Sequence, residues 1–145
     1  MSSLEQIRKE LEAFYESYAA AFNGKNVSAI SECFACPCAL ITGHGLNQCS
    51  TENDLQQLLG RYLADLKERG WTHSEMGQLT IWPMAEDLAM VVADGTRYKA
   101  DGSMLEPVRA CYTICRDAKS WKIVTVSEVD PSFLGPGDLP VKAPA

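Results

Sequence analysis

This chain has no overall surplus of lysine and arginine and no visible basic stripe: 13 basic residues stand against 19 acidic ones, a formal charge of −6. Nucleic-acid affinity comes largely from cations that neutralise phosphates, so a DNA- or RNA-binding role is not expected. An apolar run of the roughly 20 residues needed to cross a bilayer is also missing. The opening MSSLEQIRKELEAF is charged and amphipathic, with no apolar block followed by a small-residue cleavage site. Neither a signal peptide nor a membrane partner is therefore expected, and the chain reads as cytoplasmic. Several chemical signatures are absent too: no GxSxG elbow, no P-loop, no GxGxxG after a strand and no HExxH. No cofactor is expected, and no segment repeats.

What is present is ordinary globular composition. With 145 residues, 46% apolar and 22% charged, the chain can bury a core as one domain, expected over residues 1–130. Leu4, Ile7, Leu11, Phe14, Tyr18 and Phe22 recur at helical spacing, with Ser3 and Gln6 as a capping box and Gly24 as the stop. A second helix is expected from Asn26 to just before Pro37, then a short strand at 38–42. A third helix starts near Ser50 or Thr51, carries Leu55, Leu58, Leu59, Tyr62 and Leu66 on one face, and stops at Gly70.

After Gly70 the period changes. Segments 72–82, 88–100, 104–116 and 121–129 are rich in β-branched and aromatic residues, separated by PMAED, Asp101-Gly102 and DAKS. This predicts a four-stranded antiparallel meander covered by the helices, an α+β fold. The tail 131–145 is rich in proline and is expected to be extended or mobile.

This order, with the stretch YAAAFNGKNVSAISECFACPCALITGHG and the closing strand WKIVTVSEV, resembles the nuclear transport factor two-like superfamily of cone-shaped domains, which includes ketosteroid isomerase and polyketide cyclases. The resemblance spans about residues 3–129. It implies three helices on a curved, mainly antiparallel sheet around an internal pocket, and a two-fold homodimer through the outer sheet face. Tyr18 falls where the isomerase has its oxyanion-hole tyrosine, and Tyr112 falls on or beside its second oxyanion donor. The position of the general base falls on or beside Thr42, whose hydroxyl cannot take a proton from carbon near neutral pH. Steroid isomerisation by that mechanism is thus not implied, and Tyr18 also has a plain reading as a core tyrosine with a bonded hydroxyl.

Strand register adds a separate argument. A hairpin turn at Asp101-Gly102 sets Asp94 opposite Arg109 and Arg97 opposite Glu106, the two pairs on opposite faces. The hairpin closed around PMAED places His73 and Glu75 on the face of Arg97. The resemblance favours the face with Tyr112, Ile114, Thr125 and Ser127 as the inward one. One end of the pocket would then gather His73, Glu75, Arg97 and Glu106, able to hold a polar or acidic substrate and exchange a proton. The plain alternative is a wet strand end with weak cross-strand ion pairs. Leu88, Met90, Val92, Cys111, Cys115, Val124 and Val126 would face outward, with Asp94 and Arg109 among the interface residues.

Cys33, Cys36 and Cys38, with His44 and Cys49 nearby, supply soft ligands, but a second CxxC is missing, so packing is expected and no metal. His44, flanked by glycines, is a candidate contact residue at the pocket mouth. Two readings remain. One is a cofactor-independent protein binding a small, partly apolar organic molecule, with isomerisation, dehydration or hydrolysis as its chemistry. In that reading His73 or Glu75 moves a proton, and Tyr18, Thr42, Arg97, Glu106, Tyr112, Thr125 and Ser127 contact substrate. The other is a non-catalytic dimeric binding or association module, its pocket packed shut by Phe14, Tyr18, Phe34, Tyr62 and Trp121.

Overall fold

A computed structural model describes residues 3–43 and 45–133. The Ser3 hydroxyl accepts the Gln6 amide and opens α1 (Leu4–Asn23), whose Ile7, Leu11 and Tyr18 form the buried face. Gly24 ends it, its amide donating to the Ala20 carbonyl at 2.9 Å. Asn26 caps α2 (Val27–Ser31). A Thr51–Asp54 capping box starts α3 (Glu52–Glu68), which buries Leu55, Leu59 and Leu66.

Among the described residues six strands follow or interleave with these helices: β1 (Phe34–Thr42), β2 (Gly45–Cys49), β3 (Trp71–Ala85), β4 (Leu88–Lys99), β5 (Met104–Arg116) and β6 (Trp121–Val129). They form one sheet in the order β2-β1-β6-β5-β4-β3. Every neighbouring pair is antiparallel except β1 with β6. The α+β architecture and the four-stranded meander are as the sequence predicts.

Two elements differ. The second helix stops at Ser31 instead of running toward Pro37, because the Cys33 carbonyl accepts the Ile123 amide at 2.8 Å and draws the chain into the sheet. β2 was not expected, since GLNQC has little β-branched content. Gly45, at φ +108°, turns the chain back so that Cys49 lies opposite Cys38.

The core joins both layers: Ile7, Leu11, Ile30 and Leu55 from the helices meet Val91, Ile114 and Ile123 from the sheet, all at most 2% exposed. Arg8 ties α1 to β3 by donating to the Ile81 carbonyl at 2.7 Å. After β6, Pro131–Phe133 is a turn, and the remaining tail residues 134–145 lie outside the described residues. Among the described residues no helix is long and apolar enough to cross a membrane.

Candidate functional site

Between the helices and the sheet lies a cavity of about 690 Å³, a volume suited to a small organic molecule. Its inner end is aromatic. Tyr15 and Tyr18 stand one helical turn apart on α1, and Tyr112 meets them from β5, with ring centroids 5.5 to 5.7 Å apart. Such tilted and edge-to-face contacts suit the ring quadrupoles. The Tyr15 and Tyr112 hydroxyls lie 3.3 Å apart. Burial pushes all three phenols above their ordinary value of 10.0. At neutral pH they therefore offer neutral hydroxyls, able to donate hydrogen bonds but unable to act as bases.

The opposite end is ionic. Arg97 on β4 donates to Glu106 on β5 at 2.7 Å, across the register pair that the sequence predicts. Arg97 also donates to the Tyr62 hydroxyl at 2.6 Å, which in turn donates to Glu128 on β6 at 3.1 Å. Arg69, just beyond α3, takes the second Glu106 oxygen at 2.6 Å. Burial alone would raise the Glu106 carboxyl, but the hydrogen bonds and charges of Arg69 and Arg97 bring it below its ordinary 4.5. The Arg97 guanidinium is thus committed to protein groups, and Glu128 is the more exposed carboxylate of the network.

Two one-residue shifts change the membership of the expected cluster. Along β3, the three steps from Met76 to Leu79 are matched by two along β4, from Gly95 to Ala93. Before the shift Ser74 stands opposite Arg97, so His73 and Glu75 fall on the other face, and their expected grouping with Arg97 is corrected. The strands run close at this point: a Cβ on Gly95 would sit 3.0 Å from the Glu75 carbonyl oxygen. His73 stacks on Tyr98 at 5.2 Å and does not line the cavity, while Glu75 reaches it as an exposed residue.

The second shift lies in β6, where two steps from Ile123 to Thr125 match one step on β5. Thr125 then pairs with Thr113 and Ser127 with Cys111, which places both on the outer face and corrects their expected contact with substrate. Val126 and Glu128 take the inward places, so Val126 is corrected from outer to inner. Of the remaining candidates, Tyr18, Thr42, Arg97, Glu106 and Tyr112 all line the cavity. Asp94 and Arg109 pair at 2.5 Å as the register predicts, yet they too belong to the cavity lining, and Arg109 also donates to the Pro131 carbonyl. His44 lies outside the described residues.

Tyr15, Tyr62, Arg69 and Glu128 were not anticipated as site residues. Tyr15 precedes Tyr18 by three positions, a helical neighbour spacing, and Tyr62 sits on the α3 face already seen as inward. Glu128 was hidden by the β6 shift.

The model of the family described as NTF2-like protein (DUF6841) matches residues 8–131. The chain belongs to this family. Solved structures with the same fold include a protein of unknown function with a cystatin-like fold from Nostoc punctiforme, 15% identical, covering 90% of this chain and 95% of that one at a TM-score of 0.70. An NTF2-like protein from Pseudomonas putida is 16% identical, with 85% of each chain covered and a TM-score of 0.69. One from Shewanella oneidensis is 12% identical, with 85% and 98% covered and a TM-score of 0.68. No curated protein matches the chain. The NTF2-like fold supplies the cone, and the side chains above supply its chemistry.

Outside the cavity of this NTF2-like domain, the six cysteines are all free thiols. Burial first, then the neighbouring Cys36 and Cys49 thiols, push Cys38 up to about 12. Among the described residues no group of three or more His, Cys, Asp or Glu could hold a metal ion.

Proposed function

We propose that this protein binds a small, partly apolar organic molecule in the cavity, with the apolar body against the Tyr15, Tyr18 and Tyr112 rings and a polar end at the Tyr62–Glu128 network. The observation that carries the reading is a cavity of about 690 Å³ whose two ends differ in chemistry. Phe14 and Trp121, expected as plugs in the packed-shut alternative, border a separate depression near Glu10 and Arg116.

The tyrosine hydroxyls would hold a ligand oxygen by donation. Glu128, with oxygen lone pairs beyond the one that Tyr62 occupies, is the carboxylate positioned to take a proton. Isomerisation, dehydration or hydrolysis without a cofactor is the chemistry such a set supports. Arg97 acts here as an organiser of Tyr62 and Glu106, in place of the anion-holding role expected from sequence. The reading also takes the protein to be cytoplasmic and homodimeric.

Native mass spectrometry of the purified protein, followed by the denatured spectrum, tests the proposal. A co-purified organic mass that is released on denaturation, and lost in Tyr112→Phe with the fold intact, supports it. A clean apo dimer that takes up no compound from a library of small aromatic and alicyclic molecules moves the assignment to the association module.

A further inference from the structure

The cysteines of β1 and β2 fall outside the reading above, and their arrangement is specific. Cys36 is exposed, while Cys38 and Cys49 are 4% and 3% exposed. The Cys36 and Cys38 sulfurs lie 4.0 Å apart on the same strand. A disulfide needs about 2.05 Å between sulfurs, so closure asks for a side-chain rotation and a small backbone adjustment. We propose that Cys36 is a peroxide-reactive thiol that condenses with Cys38, a reversible modification site on the strand that walls the cavity.

The other thiols lack one of the two requirements. Cys38 and Cys49 have neighbours but are shielded from solvent. Cys33 is half-buried and its thiol donates to the Ala29 carbonyl at 3.6 Å. Cys111 and Cys115 are four positions apart on one strand, roughly 13 Å at strand rise, too far for a bridge to each other. Cys36 combines exposure to an oxidant with a sulfur close by.

The chemistry balances with one molecule of hydrogen peroxide. The Cys36 sulfur attacks the peroxide oxygen, the O–O bond breaks, and Cys36 becomes a sulfenic acid as one water leaves. The Cys38 sulfur then attacks the Cys36 sulfur; the S–O bond breaks, and the hydroxide leaves with the Cys38 proton as a second water. Two thiols are oxidised, one peroxide is reduced, and a dithiol reductant restores both thiols by exchange. The bond would fall four residues before Thr42, which lines the cavity.

The test is a hydrogen peroxide time course on the full chain, read by intact mass and by counting alkylatable thiols. The expected result is a loss of about 2 Da and of two thiols, reversed by dithiothreitol. Cys36→Ser should slow this loss on the order of tenfold or more. Cys38→Ser, or Cys38→Ala should serine not be tolerated at a buried site, should stop at a sulfenic acid trapped by a 1,3-dione probe. Cys49→Ala should react like the wild type. The proposal is overturned if Cys36→Ser loses its 2 Da at the wild-type rate, if Cys49→Ala abolishes the loss, or if the probe labels another cysteine first.

Discussion

The two ends of the cavity hold polar groups by opposite means. At the inner end three phenols are kept neutral, and two of their rings are part of the core itself: Tyr18 and Tyr112 are 6% and 5% exposed, with half-buried Tyr15 packed against them. At the outer end charged groups remain near solvent and hold one another, with side-chain exposures of 42% for Arg69 and 28% for Glu106. The first arrangement ties chemistry to stability, and the second separates them. A hydroxyl in the core cannot be moved without disturbing packing, whereas a rim charge can be exchanged at little structural cost.

Truncation should show the contrast at its largest. Tyr18→Ala is expected to cost about 3–5 kcal/mol in urea unfolding, since it removes a ring that touches Tyr15, Phe22, Phe34 and Tyr112. Arg97→Ala should cost about 1–2 kcal/mol, because Glu106 keeps Arg69 as a partner. Equal losses from the two would erase the distinction between core and rim.

Deleting one hydroxyl gives a finer cut. Tyr112→Phe keeps the ring and loses the contact with Tyr15, for about 1 kcal/mol.

pH divides the two ends more cleanly than mutation. The folded-state pKa of Glu106 is lowered, so its contribution is present above its ordinary 4.5 and is lost as pH falls through the depressed value. Glu106→Gln should flatten that acid limb. For the phenols the folded-state pKa is raised, so their contribution is complete below the ordinary 10.0 and is lost as pH rises beyond it. Unfolding monitored with tyrosinate absorbance should show an alkaline limb that Glu106→Gln leaves in place.

The smallest effects are expected where the register excludes a residue from the cavity. His73→Ala and Ser127→Ala should change stability by no more than about 0.5 kcal/mol and leave ligand capture unaltered. A loss of capture in either would mean that the ligand reaches beyond the residues that line the cavity.

The fold was legible because its signals are redundant. The α1 stripe, the capping residues and the β-branched runs each specify the same elements, and an error in one is corrected by the others. The site was less so because its membership turns on parity. The Arg97–Glu106 pair was readable, since the longer loop that Lys99 and Ser103 close is offset by a one-residue shift between Arg97 and Tyr98, which leaves Leu88↔Cys115 to Arg97↔Glu106 in the register that a two-residue turn at Asp101-Gly102 implies. His73, Thr125 and Ser127 were misplaced because a single extra residue in β3 or β6 reverses every side chain beyond it, and nothing in their residue types marks where that residue goes. Gly77 and Gly95, facing the close approach of the two strands, are the local trace that was there to be read.

The position of β6 has a consequence for how the molecule comes into being. The last strand among the described residues is an interior strand of the sheet, with the β2–β1 ribbon on one side and the β5–β4–β3 ribbon on the other. During synthesis the two ribbons emerge first and have no edge in common until Trp121–Val129 leaves the ribosome and joins them. Closure is therefore a late, long-range event, and chains released before that point would present two open strand edges to their neighbours at once.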